Sequence, residues 1–395
     1  MILLVVVHYP MFGGPHNRTL QLAQPLADVG WKTVALLPNE PGDAAKRLRH
    51  GGVEVIQAPL GRARATINPV AHGQYFISLG SQILMIRRLI KERRINAVLI
   101  GGLMNPHAAI AARLANVPLI WQIVDTRTPL LLRTPLMSLV NRLADTVMFN
   151  GKALIAQHSK KPLKLPTFEY FPPVDTKKRF VIAPYHRKKI KTQLGIPLES
   201  PVIGSVANIN PQKGIEYFLR AASLIYKQVP EAWFLLVGTW YTYKKKYNKK
   251  IKEELDRSGL PASRIIFAGS QPNVEEYYPA MDVKLITSVP NSEGTTTTAM
   301  EAMACGIPVV ATDVGAIREV VEDGITGYVV PPLQPIAIAE ATTRILADES
   351  LKQRMREAAR ARAVSKFDIS VCAEKHLEAI EASLYHYRQR SAKAN

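Results

Sequence analysis

Residues 287–315 read TSVPNSEGTTTTAMEAMACGIPVVATDVG. An apolar run of strand length, Val283–Ile286, ends just before them, and another, Val309–Thr312, lies inside them. Between the two, a loop with Pro290, Asn291 and Ser292 leads into Glu293-Gly294. Four threonines, Thr295–Thr298, then open a helix that carries Glu301. Strand, helix and strand in sequence mean parallel strands with a helix over one face. Backbone N–H groups and Thr hydroxyls at the helix start suit an anion. Gly294 lets a ligand come close to the backbone. Glu301, one to two turns in, can accept two hydrogen bonds from a vicinal diol such as a ribose. The stretch therefore reads as a nucleoside diphosphate pocket. Read alone, it fits equally well a helix whose acidic turns offset its own dipole.

The same alternation runs outward in both directions. Towards the N-terminus, strands are expected at Val202–Ala207, Trp233–Val237 and Arg264–Phe267, and helices at Ile215–Gln228, Tyr247–Ser258 and Val274–Tyr278. Towards the C-terminus come a helix at Ile317–Glu322, a strand at Tyr328–Val330, and a largely helical stretch over 336–390. The beginning of the chain repeats the scheme. Strands are expected at Ile2–Val7, Lys32–Leu37, Val53–Ile56, Ala97–Ile100, Leu119–Val124 and Thr146–Phe149, with a long helix over Gln74–Glu92. Between the two series, residues 159–201 hold seven prolines and many lysines, which reads as a connection between domains. The domains expected are 1–170, 171–370 and a closing helix over 371–395. The class is α/β, with two doubly wound domains.

Two further loops sit where such sheets bind ligands, beyond the carboxyl ends of strands. Asn208-Ile209-Asn210-Pro211-Gln212-Lys213-Gly214 follows one strand and puts Lys213 before a helix, where it can neutralise a phosphate. A solvated surface lysine is the ordinary alternative. Gly13-Gly14 follows the first strand and frees the backbone to approach a ligand. There is no Gly-x-Gly-x-x-Gly at that turn and no P-loop motif in the chain.

Composition narrows the classes. The chain has 395 residues, 47% hydrophobic and 21% charged, an ordinary globular balance that excludes disorder as its main theme. Its two cysteines, Cys305 and Cys372, lie in no Cys-x-x-Cys or Cys/His cluster, so neither a zinc site nor a disulfide framework is expected. Met1–Val7 lacks the features of a signal peptide, and no apolar stretch has membrane-spanning length. The net charge is +19 and uneven: residues 1–165 carry 20 Lys/Arg against 7 Asp/Glu. A basic face of that kind suits a phosphorylated substrate or an anionic membrane. No nucleic-acid motif is present, and the densest basic run, Tyr243–Lys250 (YKKKYNKK), stands apart in the second half.

Taken together, these pieces resemble the glycosyltransferase-group-1 type of retaining glycosyltransferase, family four-like, with the GT-B fold. The most specific part is Glu293, seven residues, then Glu301, followed by Ala-Met-Ala-Cys-Gly-Ile-Pro-Val-Val-Ala-Thr. Gly13-Gly14, Pro211-Gln212-Lys213-Gly214, Leu235–Gly238, Phe267-Ala268-Gly269 and Glu322–Gly327 keep the family order. The resemblance covers about residues 1–385 and is strongest over 202–332. It implies two facing Rossmann-like domains with a central cleft, and C-terminal helices crossing back to the front domain.

The resemblance also implies roles. Glu301 holds the donor ribose. Glu293, Gly294, Thr295 and Thr296 lie by the donor sugar and diphosphate. Lys213 neutralises the diphosphate, Gly13 and Gly14 approach the donor, and Gly269 and Gln271 line the nucleobase. No metal or cofactor is needed, because cations and backbone donors stabilise the leaving group. Two departures stand out. Asn208 occupies the position of a common Arg. Val124-Asp125 replaces a common His-Asp pair, leaving Asp125 as an acceptor contact or base. His16 and His107 are candidates for the missing histidine and for acceptor contacts, although ordinary packed or surface histidines are the commoner case.

The function expected is transfer of a sugar, with retention, from a nucleotide diphosphate donor, a UDP-sugar by family frequency, to a hydroxyl of a lipid-linked or other anionic acceptor. Envelope or exopolysaccharide synthesis at the inner face of the cytoplasmic membrane fits. The basic N-terminal domain would bind the anionic surface, with Arg87, Arg88, Arg93 and Arg94 first among candidates. The alternatives are a non-catalytic nucleotide-sugar or membrane-binding protein and a GT-B nucleotide-sugar epimerase.

Overall fold

The computed structural model describes residues 1–61, 69–103, 106–124, 128, 130–158 and 163–394. The chain divides into two compact units, Met1–Pro173 with Ile369–Asn395, and Val174–Asp368. The boundaries expected from the sequence are 170 and 370.

The first unit is built on seven parallel strands: β1 (Ile2–Val6), β2 (Lys32–Pro38), β3 (Glu54–Ala58), β4 (Ala97–Gly101), β5 (Leu119–Ile123), β6 (Thr146–Phe149) and β7 (Thr167–Glu169), in the order β3-β2-β1-β4-β5-β6-β7. The helices α1 (Gly14–Asp28), α2 (Ala44–His50), α3 (Pro69–Glu92), α4 (His107–Ala115), α5 (Leu130–Leu143) and α6 (Lys152–His158) connect them. Side chains alternate across a strand, and β1 shows the result. Leu4 and Val6 join a core with Ile86, Ile90 and Ala108, while Leu3 and Val5 join another with Leu22, Leu26 and Ile380. Both sheet faces are therefore buried, which is why these strands read as unbroken apolar runs.

Ile380 belongs to the last helix, α14 (Ile369–Ala394), which packs in this unit. Its anchors are polar as well as apolar. Buried Asp145 accepts from Arg113 Nη2 at 3.2 Å, Arg390 Nη1 at 2.5 Å and the Leu119 amide at 2.9 Å. Deeper in, Gln122 bonds His376 at 2.8 Å and accepts from buried Arg18 at 2.5 Å, and Arg18 also donates to Tyr170. Burial pushes His376 down to about 3, so it is a neutral member of this network.

The second unit begins with α7 (Pro184–Gln193) and contains β8 (Val202–Val206), α8 (Ile215–Gln228), β9 (Trp233–Val237), α9 (Lys245–Arg257), β10 (Ile265–Gly269), β11 (Val283–Ile286), α10 (Thr297–Ala304), β12 (Val309–Thr312), α11 (Ile317–Val320), β13 (Gly327–Val330), α12 (Pro335–Ala347) and α13 (Glu349–Phe367). Its six parallel strands run β10-β9-β8-β11-β12-β13. In both sheets the order reverses beside the first strand, between β1 and β4 and between β8 and β11. Such a switch point is where this topology leaves a crevice for a ligand.

Two expectations need correction. The proline-rich stretch 159–201 is not connection alone, because β7 extends the first sheet and α7 opens the second unit. Proline fits both places: Pro166 precedes β7, and Pro184 starts α7, where a missing N–H costs nothing. The helix expected over Val274–Tyr278 is instead two 3-10 turns, Val274–Glu276 and Tyr278–Ala280. Pro279 lacks the N–H that a continuing α-helix there would use.

Candidate active site

At the switch point of the second unit, the loop after β8 carries Lys213 and the loop after β11 carries Glu293. The two loops are tied together. Val289 N donates to Gln212 O at 3.1 Å, and Thr287 Oγ1 donates to Lys213 O at 2.9 Å. The turn at Gly214 has φ +57°, and a Cβ there would meet Thr287 O at 2.2 Å, so only glycine lets the first loop seat against the second. Behind Glu293-Gly294 stands Gly315, also left-handed, whose Cβ would meet the carbonyls of Gly294 and Glu293 at 2.4 and 2.6 Å. Ala316 N fixes that loop further with a 2.9 Å bond to Gly294 O.

On this rigid base Lys213 Nζ lies 2.5 Å from Glu293 Oε1, which also accepts from Ser288 Oγ at 2.6 Å. Lys213 remains 30% exposed and Glu293 10%, so the pair faces outward but is mostly enclosed. Glu301, from the second turn of α10, is partly buried and accepts from Tyr278 Oη at 2.6 Å. Burial raises its carboxyl above the usual range. Thr296 is the residue before α10, and its side chain makes no capping bond.

The other candidates of this unit lie on neighbouring strand ends. Asn208 is fully engaged: its amide donates to Tyr241 Oη at 2.9 Å and accepts from Thr239 N at 2.9 Å. Gln271 folds back on Ala268 O at 2.5 Å, beside Gly269 with φ +69°. In the first unit, Gly13 and Gly14 are exposed, and a Cβ on either would meet nothing within 4 Å among the described residues. His16 is buried and holds that loop. Its Nδ1 accepts from Gly13 N at 3.2 Å, which leaves Nε2 to donate to Tyr9 O at 2.9 Å. His107 pairs with His8 at 2.9 Å, beside the β1–β4 switch point, and burial pushes it down to about 4. Asp125 lies outside the described residues.

Reasoning from sequence missed Tyr278, Ser288 and Lys284. Lys284 was visible as the one polar residue of the strand VKLI, and it is completely buried in β11.

Two parallel doubly wound units, the second with an ion pair and a carboxylate at its switch point, define an α/β protein of the GT-B fold. Residues 186–362 match the family of glycosyl transferases group 1, and residues 13–160 match the glycosyl transferase 4-like domain. Residues 186–362 thus belong to the glycosyl transferases group 1 family, and the two matches together span most of the chain. The chain is 31% identical over 177 residues to the lipopolysaccharide core biosynthesis mannosyltransferase LpsB of Rhizobium meliloti, covering 44% of this chain and 49% of the relative. It is 30% identical over 179 residues to N-acetyl-alpha-D-glucosaminyl L-malate synthase of Bacillus anthracis, covering 45% of each. The chain thus spans about half the length of the curated relatives it matches. The crystal structure of Anabaena HepE in complex with UDP is similar with a TM-score of 0.80 and 22% identity, covering 97% of this chain and 100% of that one.

Proposed function

We propose that the protein is a retaining glycosyltransferase that moves a sugar from a nucleoside diphosphate donor to a hydroxyl of a lipid-linked or other anionic acceptor. The observation that carries the reading is the Lys213–Glu293 pair and Glu301 around the second unit's switch point. Glu301 suits the ribose diol, and the α10 start suits the diphosphate. Lys213 opposes the charge that grows on the departing diphosphate. A UDP-sugar is the donor of choice, consistent with UDP in the HepE complex. An acceptor in envelope glycan synthesis is consistent with the mannosyltransferase relative.

On this reading displacement occurs on the face the leaving group departs from, assisted by that group's own phosphate, and needs no metal. Among the described residues no helix is long and apolar enough to cross a membrane. The proposal places the protein at the cytoplasmic membrane surface through its basic charge. The test is a thermal-shift screen across nucleoside diphosphates and nucleotide-sugars, followed by product analysis with the best donor. A ligand of the folded state raises Tm. UDP binding without hydrolysis or transfer, in the presence of polyprenyl-linked acceptors, would identify a binding protein instead.

A further inference from the structure

Lys284 is an anomaly. It sits in the middle of β11 with no exposed surface. Among the described residues its Nζ reaches only Ser205 Oγ and Val206 O, each at 3.5 Å, the outer limit of a hydrogen bond. No carboxylate lies within ion-pair distance of it among the described residues. A lone buried ammonium is costly, so such a group sheds its proton. Burial accordingly pushes Lys284 down to about 7.

The charged groups around it all belong to the candidate site. Glu301 faces it from α10, and Lys213 and Glu293 face it from the two loops. The neighbouring strands β8 and β12 contain no titratable side chain. On α12, packed against this strand, Glu340 and Arg344 are exposed. On α8, buried Glu216 is held by Lys250, and Arg220 by Glu254.

We propose that Lys284 is the cation that answers the charge of a bound diphosphate, passing from neutral amine to ammonium as the ligand arrives. The inference rests on the donor reading above. Lys213 already has Glu293 at 2.5 Å, so part of its charge is offset before a ligand arrives. A diphosphate settling over it adds at least two negative charges to a poorly solvated site. An opposite charge nearby favours the charged form of a buried base, so Lys284 draws a proton from solvent. Enclosed as it is, Lys284 acts through space and holds the ligand electrostatically. It is a positioning residue, not a catalytic one.

The experiment is calorimetric titration of the full chain with UDP at about pH 8, in buffers of different ionisation enthalpy. The slope of the heat against buffer enthalpy gives the protons taken up. UDP is already fully ionised there, since a second phosphate pKa is about 6. The second unit's single histidine, His186, lies on α7. The wild type should take up between about half and one proton per UDP, declining as the pH is lowered towards 6. Lys284→Met and Lys284→Gln should bind UDP more weakly and take up none. UDP binding with no buffer dependence overturns the inference and leaves the donor reading standing. So does uptake that survives in either variant, which would assign the proton to Glu301 or the ligand. If no nucleoside diphosphate binds the wild type at all, the donor reading itself fails and the inference goes with it.

Discussion

Tyr278 donates its hydroxyl to Glu301 Oε2 at 2.6 Å, from a 3-10 turn to the second turn of α10. The tyrosine is fully buried, so it fixes one carboxylate oxygen and leaves the other for a ligand. Bonds to a charged group contribute roughly 1.5–3 kcal/mol, so Glu301→Ala should weaken UDP binding about ten- to a hundredfold. Tyr278→Phe should weaken it less, because the acceptor stays in place. Burial holds the Glu301 carboxyl above the usual range. Binding should therefore fade with acid at a higher pH than an ordinary Glu, near 4.3, would produce. Unchanged affinity in a folded Glu301→Ala variant removes Glu301 from the site.

Lys213 and Glu293 act as a unit, and their variants should differ in kind. Lys213→Ala should lower kcat more than donor affinity, since charge on the departing diphosphate grows towards the transition state. Asn208, bonded to Tyr241 and Thr239, brings no charge to the loop. A variant with turnover intact at saturating donor, and only a raised KM, contradicts this assignment.

The strands of both sheets were legible because doubly buried strands are apolar throughout, as in β1 and β11. The Glu293/Glu301 spacing and the two loops were legible for the same reason: each follows the end of such a strand. Partners far apart in sequence were not. Tyr278 and Glu301 are 23 residues apart, Lys213 and Glu293 are 80, and Asp145 and Arg390 are 245. No local pattern encodes these pairs; the sheet order creates them. The histidines show a different limit. His16 and His107 fall on the loops expected for ligand contacts, yet His16 spends both ring nitrogens on the Gly13 loop and His107 is paired with His8. Sequence locates a residue near a strand end without telling which way its side chain is engaged.

Lys284 should cost the protein stability, with a definite dependence on pH. In the folded chain it is neutral above about 7, whereas unfolded it stays charged to about 10.4. Between those values the unfolded state binds one more proton, so stability rises with pH at roughly 1 kcal/mol per unit. Below that window both states carry the charge and the penalty is constant. Lys284→Met should therefore raise Tm at neutral pH, by an amount that shrinks towards pH 10. Denaturation curves of wild type and variant separated by the same Tm across that range would refute it.

The two basic surfaces differ in how much of their charge is left to meet a membrane. On the first unit, Arg88 pairs with Glu92 at 2.6 Å, Arg93 with Glu54 at 2.9 Å, and Arg87 donates to Leu114 O. Much of that charge is answered locally. The run Tyr243–Lys250 holds five lysines and no acidic residue. Lys250 has Glu216 at 2.8 Å and Lys249 has Glu253 at 3.8 Å, while Lys244, Lys245 and Lys246 are exposed and form no ion pair among the described residues. Tyr243 is 71% exposed, with Tyr241 behind it at 5.2 Å. A groove of about 770 Å³ runs from these lysines to Pro211, two residues from Lys213. Each Lys near an anionic surface contributes about 1 kcal/mol, decaying over a Debye length of about 8 Å, and tyrosine favours the headgroup layer. The protein should co-sediment with phosphatidylglycerol vesicles at low salt and release as salt rises. Reversing Lys244, Lys245 and Lys246 to Glu should reduce that binding more than reversing Arg87, Arg88, Arg93 and Arg94. UDP affinity of the arginine variant should stay unchanged, because its arginines lie in the other unit. A wild-type protein that ignores anionic vesicles at low salt ends the membrane proposal, and a soluble anionic acceptor then accounts for the charge.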